Sequence, residues 1–125
     1  MFQDQELRCC DDQSGFSLFV TEQGASESLA AAKELGRALI AAGQRPSLYH
    51  AMDIKGERRV LLDAELGIYS GDFLYLPRTI VEPFVLIELG FIINRQEELR
   101  LRQQAEQEKI AAALVAGILA YSLKD

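Results

Sequence analysis

The run Phe84-Val85-Leu86-Ile87-Glu88-Leu89-Gly90-Phe91-Ile92-Ile93-Asn94 limits the possible folds more than any other stretch: it is the most apolar in the chain and carries one carboxylate in its middle. Pro83 opens it and Gly90 breaks it, which leaves a strand of ordinary length from Phe84 to Leu89. Alternation puts Phe84, Leu86 and Glu88 on one face and Val85, Ile87 and Leu89 on the other. Both faces are apolar except at Glu88, a pattern that predicts a central strand covered on both sides. A carboxylate at the end of such a strand must be paired, hydrogen-bonded, metal-bound or protonated, because burying a bare charge is prohibitive. Two readings follow. Glu88 is a functional acid, or it is a structural residue bonded to backbone or to an arginine such as Arg78.

Composition narrows the possible partners. A chain of 125 residues makes one domain, long enough to bury about two-thirds of its unfolded surface. Hydrophobic content of 49% with 26% charged residues is that of a globular protein and excludes a disordered chain. A net charge of −6 argues against nucleic acid, which needs a basic stripe. No apolar run reaches the length of a membrane span, and the acidic, polar opening Met1-Phe2-Gln3-Asp4-Gln5-Glu6 is unlike a signal peptide. Cys9 and Cys10 are adjacent and are the only cysteines. They give no disulfide framework and no metal site, and read as two reduced thiols.

In chain order, residues 1–14 lack a sustained period and end in a polar turn cluster, so an irregular arm is expected there. Residues 15–125 then form the folded unit. Phe16 to Val20 reads as a strand with Phe16, Leu18 and Val20 on one face and Ser17 and Phe19 on the other. Ser26 is a suitable N-cap for a helix that sets Leu29, Ala32, Leu35, Gly36, Leu39 and Ile40 inward, with Lys33, Glu34 and Arg37 outside. Gly43 and Pro46 end that helix.

Pro46 to Ser70 is the least regular region and holds the only histidine, His50, with Val60-Leu61-Leu62 as a short apolar anchor. Long loops in compact domains commonly form the walls of substrate grooves. Phe73 to Leu76 reads as a strand, Asn94 as a helix cap, and Glu97 and Glu98 as solvated charges at a helix start. A short helix from Arg95 to about Arg102 leads to a last helix over Gln104 to Ser122. Its predicted inner stripe is Ile110, Leu114, Gly117, Ile118 and Tyr121, with Glu106, Glu108 and Lys109 in solvent. Strands alternating with helices predict an α/β fold: a mixed sheet of about three to four strands with helices on both faces.

The segment Pro-Phe-Val-Leu-Ile-Glu-Leu-Gly-Phe-Ile-Ile-Asn-Arg-Gln-Glu-Glu, with Lys109-Ile110-Ala111, Ala116-Gly117-Ile118 and Tyr121 after it, resembles the C-terminal end of the zinc-dependent N-acetylmuramoyl-L-alanine amidases. Gly15-Phe16-Ser17-Leu18-Phe19-Val20, the Ala-rich helix and Leu74-Tyr75-Leu76-Pro77-Arg78 fall in the same order as in that family. The resemblance covers roughly residues 15–121. It implies peptidoglycan as substrate, Glu88 as the catalytic carboxylate, and a Zn2+ held by His, Glu and His. Those ligand motifs would all precede the Phe16 strand, and none is present in this chain. His50 falls on the wrong side of that strand for a ligand. It is expected to line a groove beside Tyr49 and touch substrate rather than metal.

The resemblance therefore implies an incomplete amidase-type domain, inactive by itself, whose parent works in the periplasm or outside the cell. The partner implied besides peptidoglycan is a missing N-terminal half or a further copy in a homo-oligomer. A non-catalytic module that binds peptidoglycan or a protein on the same scaffold is the alternative reading, and an unrelated small α/β protein the third.

Overall fold

The computed structural model describes residues 13–21, 25–53, 58–72 and 79–124. The sequence-predicted strand at 73–76, Arg78, the two cysteines and most of the N-terminal arm lie outside them. The elements are β1 (Ser17–Val20), α1 (Ala25–Ala41), a 3-10 turn (Tyr49–Ala51), β2 (Leu61–Asp63), β3 (Ile68–Ser70), β4 (Val85–Glu88), α2 (Arg95–Leu101) and α3 (Gln104–Ser122).

The four strands form one sheet in the order β2-β3-β1-β4. β1 runs parallel to β3, with Leu18 opposite Ile68 and Phe19 opposite Tyr69. It runs antiparallel to β4, with Ser17 opposite Glu88 and Leu18 opposite Ile87. β1 and β3 are therefore the inner strands, and all four residues of β1 are buried. This corrects the sequence expectation for Phe84–Leu89: among the described residues β4 is an edge strand, and its three apolar residues are only half-buried. Apolarity on both faces predicted cover on both faces, and it said nothing about how many strands flank this one. β2 and β3 were also not predicted. At three residues each they are too short to show a period, and the sequence there reads as loop with an apolar anchor.

One face of the sheet meets α1. Phe16, Leu18, Val20 and Ile68 pack with Ala32, Leu35 and Leu39, and Ile110 and Ala113 of α3 close the cluster. The alternation predicted for β1 holds, as does the inward face of α1 apart from Ile40, which is exposed. The helix begins at Ala25, so Ser26 lies within its first turn rather than capping it. Ser28 does the anchoring instead: its buried hydroxyl accepts the Phe84 N–H at 2.9 Å, tying the start of α1 to the start of β4.

α3 packs on α1 through Ile110, Ala113 and Gly117. This stripe is rotated from the predicted one, and Ile118 is exposed. Small residues decide the rotation, since a Cβ on Gly117 would sit 2.9 Å from the Leu35 Cα. Val115 and Leu119 are exposed with Ile118, so apolar residues surround α3 while only one stripe is covered. Two predicted solvent charges are also half-sheltered. Glu34 is paired with Arg37 at 3.2 Å and with Lys124, and Glu106 is paired with Arg100 at 2.9 Å.

The opposite face of the sheet carries the 3-10 turn, whose His50 ring lies 5.3 Å from Phe19 and 5.6 Å from Tyr69 between centroids. The mixed α/β sheet predicted from sequence is thus present, and among the described residues a single turn of helix lies on its second face. Among the described residues no helix is long and apolar enough to cross a membrane.

Candidate functional site

β4 ends at Glu88, and the chain then turns at Gly90 into α2. Asn94 caps that helix as predicted, its side-chain oxygen accepting the Glu97 N–H at 3.1 Å. Gly90 is needed for lack of room: a Cβ there would stand 2.7 Å from Glu97 Oε2 and 2.8 Å from Leu101 Cδ1. Backbone of this shape brings Phe91 back over the sheet, where its ring stacks on His50 at 6.0 Å and meets Tyr49 edge-on at 5.3 Å.

The Glu88 side chain is 48% exposed, not buried as the strand pattern suggested. Among the described residues it ends a strand that has a neighbour on one side only. Among the described residues its ionic partner is His50, with Nε2 3.4 Å from Oε2. The two are far apart in sequence and are brought together by the turn that follows Pro46. That turn is fixed from several sides. Ser47 donates its N–H to Phe16 O at 2.8 Å, the Tyr69 hydroxyl donates to Ser47 O at 2.6 Å, and Arg59 N–H donates to His50 O at 2.6 Å. Burial pushes the Tyr69 phenol up to about 12, against the smaller opposing effect of the His50 backbone N–H.

The imidazole is largely buried among Phe19, Tyr49, Tyr69 and Phe91, and its Nε2 has no hydrogen-bond partner among the described residues. Sequence reasoning placed His50 and Tyr49 at a groove. It gave no role to Tyr69 or Phe91, although Phe91 belongs to the apolar run after Glu88. The usable signal was the Phe19-Tyr69 pairing across β1 and β3, which requires the register to be known.

A second charged cluster lies at the base of α2. Glu97, expected in solvent, is buried, accepts the Gly15 N–H at 2.9 Å, and is gripped by Arg100 at 2.7 Å. Arg100 also donates to Gln44 Oε1 at 2.8 Å and Glu106 Oε1 at 2.9 Å. The Gln44 amide bonded to Glu106 at 2.7 Å, aided by Lys109 and Arg100, holds that carboxyl below the usual range. A cavity of roughly 420 Å³ opens here, but Glu97, Arg100 and Glu106 satisfy one another, which is the behaviour of a structural joint.

Zinc bound for catalysis needs about three protein ligands. Among the described residues no group of three or more His, Cys, Asp or Glu could hold a metal. His50 and Glu88 stand alone together, so the described residues do not fit that ion.

Comparison with known proteins adds to this geometry. A family profile described as N-acetylmuramoyl-L-alanine amidase matches residues 9–120. The apo N-acetylmuramyl-L-alanine amidase Ami1 from Mycobacterium abscessus is similar in structure, with a TM-score of 0.71 and 26% identity over 88% of this chain and 48% of that one. Ami1 from Mycobacterium smegmatis shares the fold at a TM-score of 0.62 and 22% identity, over 87% of this chain and 47% of that one. The chain thus spans about half the length of the solved structures it matches. No curated protein matches the sequence.

Proposed function

The chain belongs to the N-acetylmuramoyl-L-alanine amidase family, and on that premise we propose that it carries the Glu88 side of a site that cleaves the amide between N-acetylmuramic acid and L-alanine in peptidoglycan. The observation that carries this is a half-exposed carboxylate at a strand end, beside a buried histidine and an aromatic wall. In the reaction a water oxygen bonds to the amide carbonyl carbon and the carbon–nitrogen bond breaks. Glu88 takes the proton from that water as general base and returns it to the leaving nitrogen as general acid. A carboxylate half open to solvent suits both steps, because substrate and water can reach it. The turn around His50 is one wall of the approach, where the exposed edge of that wall meets the glycopeptide.

Zn2+ is the group the family uses to hold such a water. Its ligands would have to come from polypeptide beyond the described residues, which offer no set of three. In this reading the parent protein acts in the periplasm or outside the cell, where its substrate is.

The test is release of peptide from purified peptidoglycan in the presence of zinc. The 125-residue chain alone should release none. A protein that also contains the other half of the relatives' fold should, and Glu88→Gln should remove about 10²- to 10⁴-fold of that rate. Robust release by the chain alone would overturn the division of the site. A second reading on the same amidase scaffold is a binding module without catalysis. Retention of the chain on insoluble peptidoglycan, unchanged by Glu88→Gln and with no hydrolysis by the longer protein, would establish it.

A further inference from the structure

We propose that His50 is a positioning residue for Glu88, its Nε2–H directed at Glu88 Oε2 so that the other carboxylate oxygen is presented to the groove in one orientation. This deepens the amidase reading and rests on it for its purpose, though not for its geometry.

The imidazole is not a chance surface group. Rings enclose it at centroid distances of 5.3 Å (Phe19), 5.5 Å (Tyr49), 5.6 Å (Tyr69) and 6.0 Å (Phe91). A phenylalanine would fill such a box without burying a nitrogen. Leaving Nε2 buried and unpartnered costs free energy, and the polar group it faces is the Glu88 carboxylate at 3.4 Å. That contact is longer and less well aligned than a formed hydrogen bond. Catalytic contacts are commonly loose until substrate closes the site, and a small rotation of the Glu88 side chain would complete this one. The backbone is held in advance by Tyr69, Ser47 and the Arg59 N–H, so the ring is the fixed member and Glu88, on its exposed strand end, the adjustable one. A general base must hold its oxygen at hydrogen-bond distance from the proton it takes. A free edge glutamate samples several rotamers, and tethering one oxygen removes most of them.

The chain has one histidine, so its ring signals in proton–nitrogen correlation NMR are unambiguous. The full chain is isotopically labelled and its spectrum is recorded at alkaline pH. The expected spectrum has the proton on Nε2, slow to exchange with water. Glu88→Gln retains an acceptor oxygen and should keep that slow exchange. Glu88→Leu should lose it, while the backbone amide spectrum away from β4 stays unchanged. A bare Nε2 in the native chain, or exchange equally slow in Glu88→Leu, overturns the proposal. If Glu88→Leu perturbs the amide spectrum widely, Glu88→Ala replaces it, and slow exchange surviving in Glu88→Ala overturns the proposal just the same. Neither zinc nor substrate enters the measurement. Its failure would leave the amidase reading intact, and a failed hydrolysis assay would leave this contact intact.

Discussion

Glu88 and Glu97 flank the same turn and meet opposite fates. Glu97, predicted to be solvated, is buried and fully occupied by Gly15, Arg100 and the end of α2. Glu88, predicted to be buried, is half exposed and faces a single histidine that it does not quite reach. The first carboxylate has spent its hydrogen-bonding capacity on joining β1 to the C-terminal helices. The second has kept most of its capacity free. A buried acid surrounded by partners is a joint, whereas an acid at a strand end with unused lone pairs can accept a proton from something that arrives.

The contrast can be broken in order of effect. Glu88→Gln should cost the complete enzyme the about 10²- to 10⁴-fold in rate stated above, while shifting stability by less than about 0.5 kcal/mol in urea unfolding, as surface changes do. Glu97→Ala should do the reverse. It leaves the Gly15 N–H without its acceptor and takes from Arg100 its buried carboxylate, with Gln44 and Glu106 remaining, and breaking such a buried pair costs about 3 kcal/mol, read as a lower urea midpoint. Gly90→Ala tests the turn that separates the two acids. The added methyl runs into Glu97 Oε2 and Leu101, at an expected cost of about 1–3 kcal/mol. An unchanged midpoint would mean that the turn is looser than described.

The smallest effect lies in the wall behind His50. Tyr69→Phe removes the hydrogen bond to Ser47 O and should cost about 1 kcal/mol near neutral pH. The same residue should also give a pH signature. Its phenol is pushed from 10.0 up to about 12 in the folded chain, so the unfolded chain ionises first. Stability from this group is whole below about pH 10 and drains away as pH rises towards about 12. Tyr69→Phe should flatten that alkaline slope in pH-dependent unfolding. An unchanged slope would assign it to another group.

Much of this fold was legible in the residues. The faces of β1, the Asn94 cap and the span Gln104–Ser122 follow from period and capping chemistry, which act locally. The position of β4 in the sheet did not follow, because an apolar period reports burial and not neighbours. Glu97 was misread for a similar reason. A helix-start glutamate is favourable in solvent, and only the fold shows that Gly15 and Arg100 converge on it. At the candidate site Glu88 was visible through its motif, and His50 only as a groove residue. Their approach depends on a parallel β1–β3 pairing that carries the loop after Pro46 across the sheet, a long-range event with no local signature.

The margin occupied by β4 has a practical corollary. Val85, Leu86 and Ile87 form a sticky border with no lysine, proline or bulge among them to repel a passing chain, and the described residues supply no strand beyond it. Among the described residues it is one of two sheet margins, with β2 the other, to which a further strand of this chain or of another can pair.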